Sequence, residues 1–299
     1  MFDISQVSAY TKKRLDKSEL LISKNSKTGL SINTRIMPAK VKDGNVQRVI
    51  PMSCRPTQWC KEHCYARSGH FCTWGREDLS TLNYAQQAYL VNAVILHRFE
   101  SAQEGVVARE ADRIVSVATR KGYNNIRWNG GGDLSKGAVR LINLITKNHP
   151  KFIVWGFTKR ADLVHKLKPG PNLRLTVSLD PTTPCIQSDT GSGFSLLAMA
   201  EAARHLDGRL AYATHIQDDP VLAKGELEKL VRQHGARLDT VFGFHRGVKH
   251  TEVRHIKECV ATNPAVKNRG SCQDCRWCFM SQHERKKRKL KGPIDAIQF

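Results

Sequence analysis

The sequence predicts an α/β protein, a (β/α)6 partial barrel of TIM-like kind followed by a C-terminal cysteine-rich module. Three observations lead there. Short apolar runs alternate with helical patterns from about residue 46 to 248, glycine or polar turns close most of the runs, and eight of the nine cysteines fall in two groups, at 54–72 and 259–278. Strands that alternate with helices argue for a parallel sheet with crossover helices. The alternation alone suits an open doubly wound sheet equally well.

Taken in order, the first 45 residues are polar and basic with little periodicity, and they read as an irregular N-terminal arm. VQRVIPM (46–52) reads as a strand running directly into the first cysteine group. Residues 78–98 have the pattern of a helix with Asp78 or Ser80 as N-cap. A second helix is expected over 104–121, a short strand at 124–130, and an amphipathic helix at 135–149. Strand 152–158, a short helix at 161–168 and strand 172–179 follow, with Pro169-Gly170-Pro171 between the last two. Then come a helix at 193–206, a strand at 209–216, a helix at 220–235 that starts on Pro220 and stops on Gly235, and a last strand at 240–247. Beyond 248 the pattern gives way to a loop-like cysteine module and a basic run, ERKKRKLK (284–291). The expected units are therefore 1–45, 46–248 and 249–299.

Composition narrows the function classes. Hydrophobic residues make up 40% and charged residues 25% of 299, ordinary values for a globular chain. No stretch approaches the roughly 20 apolar residues of a membrane span, and MFDISQVSAY lacks the apolar core of a signal peptide. A cytoplasmic protein without membrane contact is expected. The charge is the unusual feature: 48 Lys and Arg against 27 Asp and Glu give a net +21. A surplus of that size favours polyanions through counterion release, and nucleic acid is the expected partner.

Cysteines clustered in a cytosolic chain point to metal rather than disulfides. Cys54, Cys60 and Cys64 lie in one short loop, SCRPTQWCKEHC. Three thiolates can hold three irons of a four-iron cluster and leave the fourth open. A zinc site completed by Cys72, His63 or His70 is the alternative. Further on, IRWNGGGDLSKG places Gly130, Gly131, Gly132 and Asp133 at the end of an expected strand, where glycine lets backbone approach a ligand and Asp133 offers a carboxylate.

These two motifs together resemble the radical S-adenosylmethionine superfamily, whose cysteine loop follows the first barrel strand and whose glycine-rich turn ends the second. The spacing here is wider than the usual C-x3-C-x2-C. With Cys64-Tyr65-Ala66 it looks like a group of bacteriophage-encoded proteins related to that superfamily. The resemblance implies a [4Fe-4S] cluster on Cys54, Cys60 and Cys64. It also implies S-adenosylmethionine held by Tyr65, Gly130, Gly131, Gly132, Asp133 and Ser178, and an external electron donor. It implies reductive cleavage of that cofactor; the net charge of +21 adds the expectation that the substrate is a nucleotide in DNA or RNA, with phage DNA base modification as the fitting reaction.

Other polar residues fall at strand ends, where a barrel faces its site. Lys159 and Arg160 form a candidate clamp for a carboxylate or phosphate, and His215, His245 and Arg246 are further substrate-facing candidates. Thr158 and Asp180 share such positions. The second cysteine group, Cys259, Cys272, Cys275 and Cys278, has the spacing C-x12-C-x2-C-x2-C. Two C-x2-C steps in succession favour an auxiliary [4Fe-4S] cluster over zinc. Cys72 and Cys185 read as ordinary cysteines. A zinc-stapled nucleic-acid binder without catalysis is the rival expectation for the whole chain.

Overall fold

The computed structural model describes residues 1–64, 78–180, 196–214, 237–243 and 275–280, with 183, 233, 284 and 287–289, but not 26, 27, 36, 44, 52, 55, 56 and 208. The chain opens with strand β1 (Phe2–Asp3), a 3-10 turn at Ile4–Gln6, helix α1 (Ala9–Asp16) and a hairpin of β2 (Ile22–Asn25) and β3 (Gly29–Ile32). A second hairpin joins β4 (Ala39–Asp43) to β5 (Val46–Ile50), and helix α2 (Gln58–His63) holds Cys60, with Cys54 before it and Cys64 at its C-cap. Helices α3 (Tyr84–Phe99) and α4 (Glu104–Arg120) follow. Then strands and helices alternate: β6 (Asn125–Trp128), α5 (Lys136–Asn148), β7 (Ile153–Thr158), α6 (Ala161–Val164), β8 (Leu173–Leu179), α7 (Leu196–His205), β9 (Arg209–Thr214) and β10 (Arg237–Gly243).

Two sheets result. The smaller has the order β1-β4-β5. The larger has the order β2-β3-β6-β7-β8-β9-β10, in which β3 and β6 to β10 all run parallel and only β2 is antiparallel. From β3 onward each strand lies beside the next strand of that sheet in the chain, without the reversal of order that marks a doubly wound sheet.

Two expectations about the N-terminal part need correction. Residues 1–45 are not irregular: they supply α1 and four strands and enter both sheets. Val46–Ile50 is a strand, but it pairs antiparallel with β4 in the small sheet, with Val46 and Val49 exposed. The strand that precedes the cysteine loop in the large sheet is β3, whose four residues are all buried. Its run GLSI is too short to display a period.

The helices form largely where expected, with shifted ends. Helix α3 starts at Tyr84, not near 78. Asn83 caps it through a reciprocal capping box with Gln86, at 3.0 Å in each direction, while Asp78 caps only the short turn Leu79–Thr81. Ser135 caps α5 as its position suggests. Helix α6 stops at Val164, four residues short of its expected end. The expected helix at 220–235 lies outside the described residues, apart from Gln233.

Period-2 alternation gives the large sheet two different faces. Leu30, Ile32, Ile126, Trp128, Val154 and Leu175 are fully buried and belong to one continuous core with α3, α4 and α5. Residues of the opposite set line up across the sheet: Ser31 beside Arg127, Arg127 beside Trp155, and Trp155 beside Arg174. Arg127 lies over the Trp155 ring, 5.5 Å from its centroid, and Trp155 Nε1 donates to Asn125 Oδ1 at 3.1 Å. The turn Trp277–Phe279 packs against β7 and β8, and Arg209 Nη1 donates to Cys278 O at 3.2 Å. Among the described residues no helix is long and apolar enough to cross a membrane.

Candidate active site at the cysteine loop

Parallel strands present their carboxyl ends at one edge of the sheet, and the candidate residues gather at that edge. Chain segments leaving β3, β6, β7 and β8 meet there and are tied together by side-chain bonds. Asn129 N donates to Ile32 O and Thr34 N to Gly131 O, both at 3.0 Å, and Gly131 N donates to Asn33 Oδ1 at 3.1 Å. The Gly130–Asp133 turn therefore lies flat against the end of β3. Packing accounts for its glycines: a Cβ on Gly130 would stand 2.5 Å from Asn33 Oδ1, and one on Gly132 would stand 1.9 Å from Thr34 Oγ1. Gly132 also has φ +87°, the left-handed region that favours glycine.

Asp133 is 6% exposed. Its Oδ1 accepts from Thr158 Oγ1 at 2.5 Å and from Leu134 N at 2.7 Å, and its Oδ2 accepts from Lys159 N at 3.0 Å. Burial pushes this carboxyl above its ordinary value, and these hydrogen bonds oppose the rise. A carboxylate offers about four acceptor positions, so three bonds leave one on Oδ2. In the other direction Asp133 N donates to Ser53 Oγ at 3.2 Å, and Ser53 Oγ donates to Arg35 O at 3.1 Å. Ser53 directly precedes the first cysteine.

Cys54, Cys60 and Cys64 are free thiols of intermediate exposure. Thr57 caps α2 by accepting from Cys60 N at 3.2 Å, and it also meets the carboxylate of Asp180, whose side chain is fully buried. Lys159 forms an ion pair with the same carboxylate. The cap of the cysteine helix, the end of β7 and the end of β8 thus converge on Asp180. Burial pushes the Cys54 thiol up, the charges of Asp133 and Cys64 add to the rise, and Ser53 and Lys159 oppose it. The Cys60 thiol is raised first by its hydrogen bond with Cys64 and then by burial, again with Lys159 opposing. The three thiols are close enough to resist each other's ionisation. A cationic group among them would reverse that preference, as metal does for any coordinating thiol.

Among the described residues no three His, Cys, Asp or Glu side chains converge closely enough to share one metal ion. A four-iron cluster is larger than an ion and holds its sulfurs farther apart, and three soft donors beside one ammonium suit it in chemistry. A cavity of about 430 Å³ opens next to this group. Its walls include Cys54, Ser53, Asp133, Thr34 and Arg160, with His97 of α3 and the C-cap Glu100. Thr34 is 4% exposed, and its Oγ1 has no hydrogen-bond partner among the described residues.

Lys159 and Arg160 hold different places. Arg160 grips Asp162 through Nε and Nη2, both at 2.8 Å, and its Nη1 donates to Ser53 O at 3.2 Å and Leu134 O at 3.1 Å. It joins the cysteine loop to the glycine turn. Ser178 is half-buried in β8, beside Ala211. Cys275 is buried and Cys278 half-buried in the segment against β7 and β8. Tyr65, Cys72, Cys185, His215, His245, Arg246, Cys259 and Cys272 lie outside the described residues. Sequence reasoning passed over Ser53, Thr57, Asn33 and Thr34. For Asn33 and Thr34 the available signal was a polar pair directly after the run GLSI.

No curated protein and no solved structure matches this chain. The profile of one family, described as Gene product 88, matches residues 10–281, and the chain belongs to that family.

Proposed function

We propose that the chain is a radical S-adenosylmethionine enzyme acting on nucleic acid. The observation that carries this reading is the union of two motifs far apart in sequence: the three-thiol loop and the Gly130–Asp133 turn, joined through Ser53 at the carboxyl edge of a parallel sheet. The sheet order supports a partial (β/α)6 barrel. Successive right-handed crossovers in one direction put every helix on the same face, and such a sheet curls with its other face inward.

In this reading Cys54, Cys60 and Cys64 hold a [4Fe-4S] cluster, and Cys275 and Cys278 belong to an auxiliary one. A cluster held on the first three would supply one-electron reduction of S-adenosylmethionine, with an external donor as the source of the electron, and so radical chemistry on the substrate. The protein's own residues bind and orient. Backbone of the glycine turn and the remaining acceptor position of Asp133 receive the amino group of the cofactor. Thr34 Oγ1 offers a buried hydroxyl in the adjoining cavity. Lys159, fixed by Asp180, offsets negative charge on the thiolates. The net charge of +21 supports a polyanionic substrate.

Anaerobic purification with counts of iron, sulfide and zinc tests the reading, followed by addition of reductant and S-adenosylmethionine. Four or about eight irons per chain with 5′-deoxyadenosine formed is the expected result. Zinc without iron, or iron without cofactor cleavage, would overturn it.

A further inference from the structure

A second cavity, of about 540 Å³, lies on the other side of the glycine turn. Its walls include Gly130 and Asn33, whereas their near neighbours Asp133 and Thr34 line the first cavity. Tyr10 of α1 and Tyr84, the first residue of α3, stand at this cleft and are 51% and 53% exposed. Their rings are 6.0 Å apart between centroids and tilted by 39°. Arg14 lies over the Tyr10 ring at 5.3 Å, held from behind by an ion pair with Glu19. Tyr10, Lys13, Arg14 and Lys17 recur at helical spacing, so they share one side of α1 and its end. Lys24 and Arg127 also line the cleft; among the described residues no Asp or Glu does, and Arg127 Nε is buried without an acceptor.

An exposed aromatic pair, with a guanidinium over one ring and no carboxylate among the described residues lining its cleft, is the chemistry that takes an unpaired nucleobase and its phosphate. Duplex nucleic acid hides its base faces, so a stacking platform selects single strands. The cleft volume suits one nucleotide.

We propose that this cleft is a single-stranded nucleic-acid site. One base stacks on Tyr10 and Tyr84, and its backbone is held by Arg14, Lys24 and Arg127. The inference rests on the nucleic-acid half of the proposed function and deepens it. A strand seated here passes beside the Gly130–Asp133 turn, so the cleft holds a nucleotide next to the one presented at the cysteine loop.

The test is fluorescence anisotropy of the full chain with labelled oligodeoxythymidine, oligouridine and a duplex of equal length, across a salt series. Both single strands are expected to bind more tightly than duplex. Y10A and Y84A should each weaken single-strand binding by about tenfold, whereas Y10F and Y84F should bind as wild type. Both tyrosines are half-exposed, so the alanine variants keep the fold, and an unchanged melting midpoint checks this. Wild-type binding that the alanine variants match within about twofold would overturn the tyrosine platform and leave the charge-based reading in place. No single-strand binding by the wild type would overturn both.

Discussion

Asp133 N donates to Ser53 Oγ at 3.2 Å, and this bond ties the turn after β6 to the residue in front of the first cysteine. Both partners are buried. Ser53→Ala would leave a buried amide without its acceptor and release the cysteine loop from the glycine turn. The expected cost is about 1–3 kcal/mol of stability, read as a lower urea midpoint. Iron retained after anaerobic reconstitution should fall as well. A variant with wild-type midpoint and iron content would show that the two segments hold their places independently.

Gly132 tests the packing of the same turn against β3. Alanine there meets Thr34 Oγ1 and must also adopt φ +87°. Gly132→Ala should cost about 1–3 kcal/mol. Adding Thr34→Ala removes the clash but not the backbone strain, so the double variant should recover only part of the loss. A double-mutant cycle of denaturation midpoints reads the coupling, and full additivity would place the whole effect in the backbone.

The sequence made the alternation of β6 to β9 with their helices legible because β7, β8 and β9 run six or seven residues each and α5 and α7 ten or more. It also located the cysteine loop and the glycine turn, whose compositions are unusual. It misplaced the first strand of the large sheet. Val46–Ile50 looks like a strand and is one, but local pattern does not say which sheet a strand joins. The true member, Gly29–Ile32, is short and buried on both faces. The partners of Asp133 were hidden for a different reason. Ser53 and Thr158 lie far from it in the chain: the parallel pairing of β6 with β7 brings the Thr158 hydroxyl to its carboxylate, and the loop after β5 brings the Ser53 hydroxyl to its amide. Asp180 stood out as a strand-end residue, yet its place under the cap of α2 depends on Thr57, a threonine indistinguishable in sequence from any other turn residue.

Glu110 gives a pH test away from the site. It is buried in α4, accepts from Leu20 N at 2.7 Å and pairs with Arg113 at 2.6 Å. Burial nonetheless raises its carboxyl above the ordinary 4.5. A raised folded value means that the native state binds the proton more readily than the unfolded chain. The contribution of Glu110 to stability is therefore greatest below about 4.5 and declines as pH rises through the folded value. The melting temperature of wild type relative to Glu110→Gln should accordingly decrease from pH 4 toward neutrality. A difference that grows with pH would mean that Arg113 outweighs burial.

Lys159 sits between Asp180 and the thiols, and its effect on them has a defined sign. Burial raises Cys54, a hydrogen bond with Cys64 and then burial raise Cys60, and the Lys159 ammonium opposes both rises. The metal-free protein should therefore alkylate slowly at these two cysteines at neutral pH, because only the thiolate reacts. Lys159→Met removes the opposing charge and should slow them further. It also takes the ammonium away from the buried carboxylate of Asp180, so a loss of stability of about 3–5 kcal/mol is expected alongside. Lys159→Arg keeps the charge and should restore most of the alkylation rate, which a purely structural role would not require. Residue-resolved iodoacetamide rates against pH, read by mass spectrometry, measure this. Faster alkylation of Cys54 and Cys60 in a folded Lys159→Met variant would contradict the assigned electrostatics. It would instead make the ion pair with Asp180 a latch that restricts access to the cysteine loop.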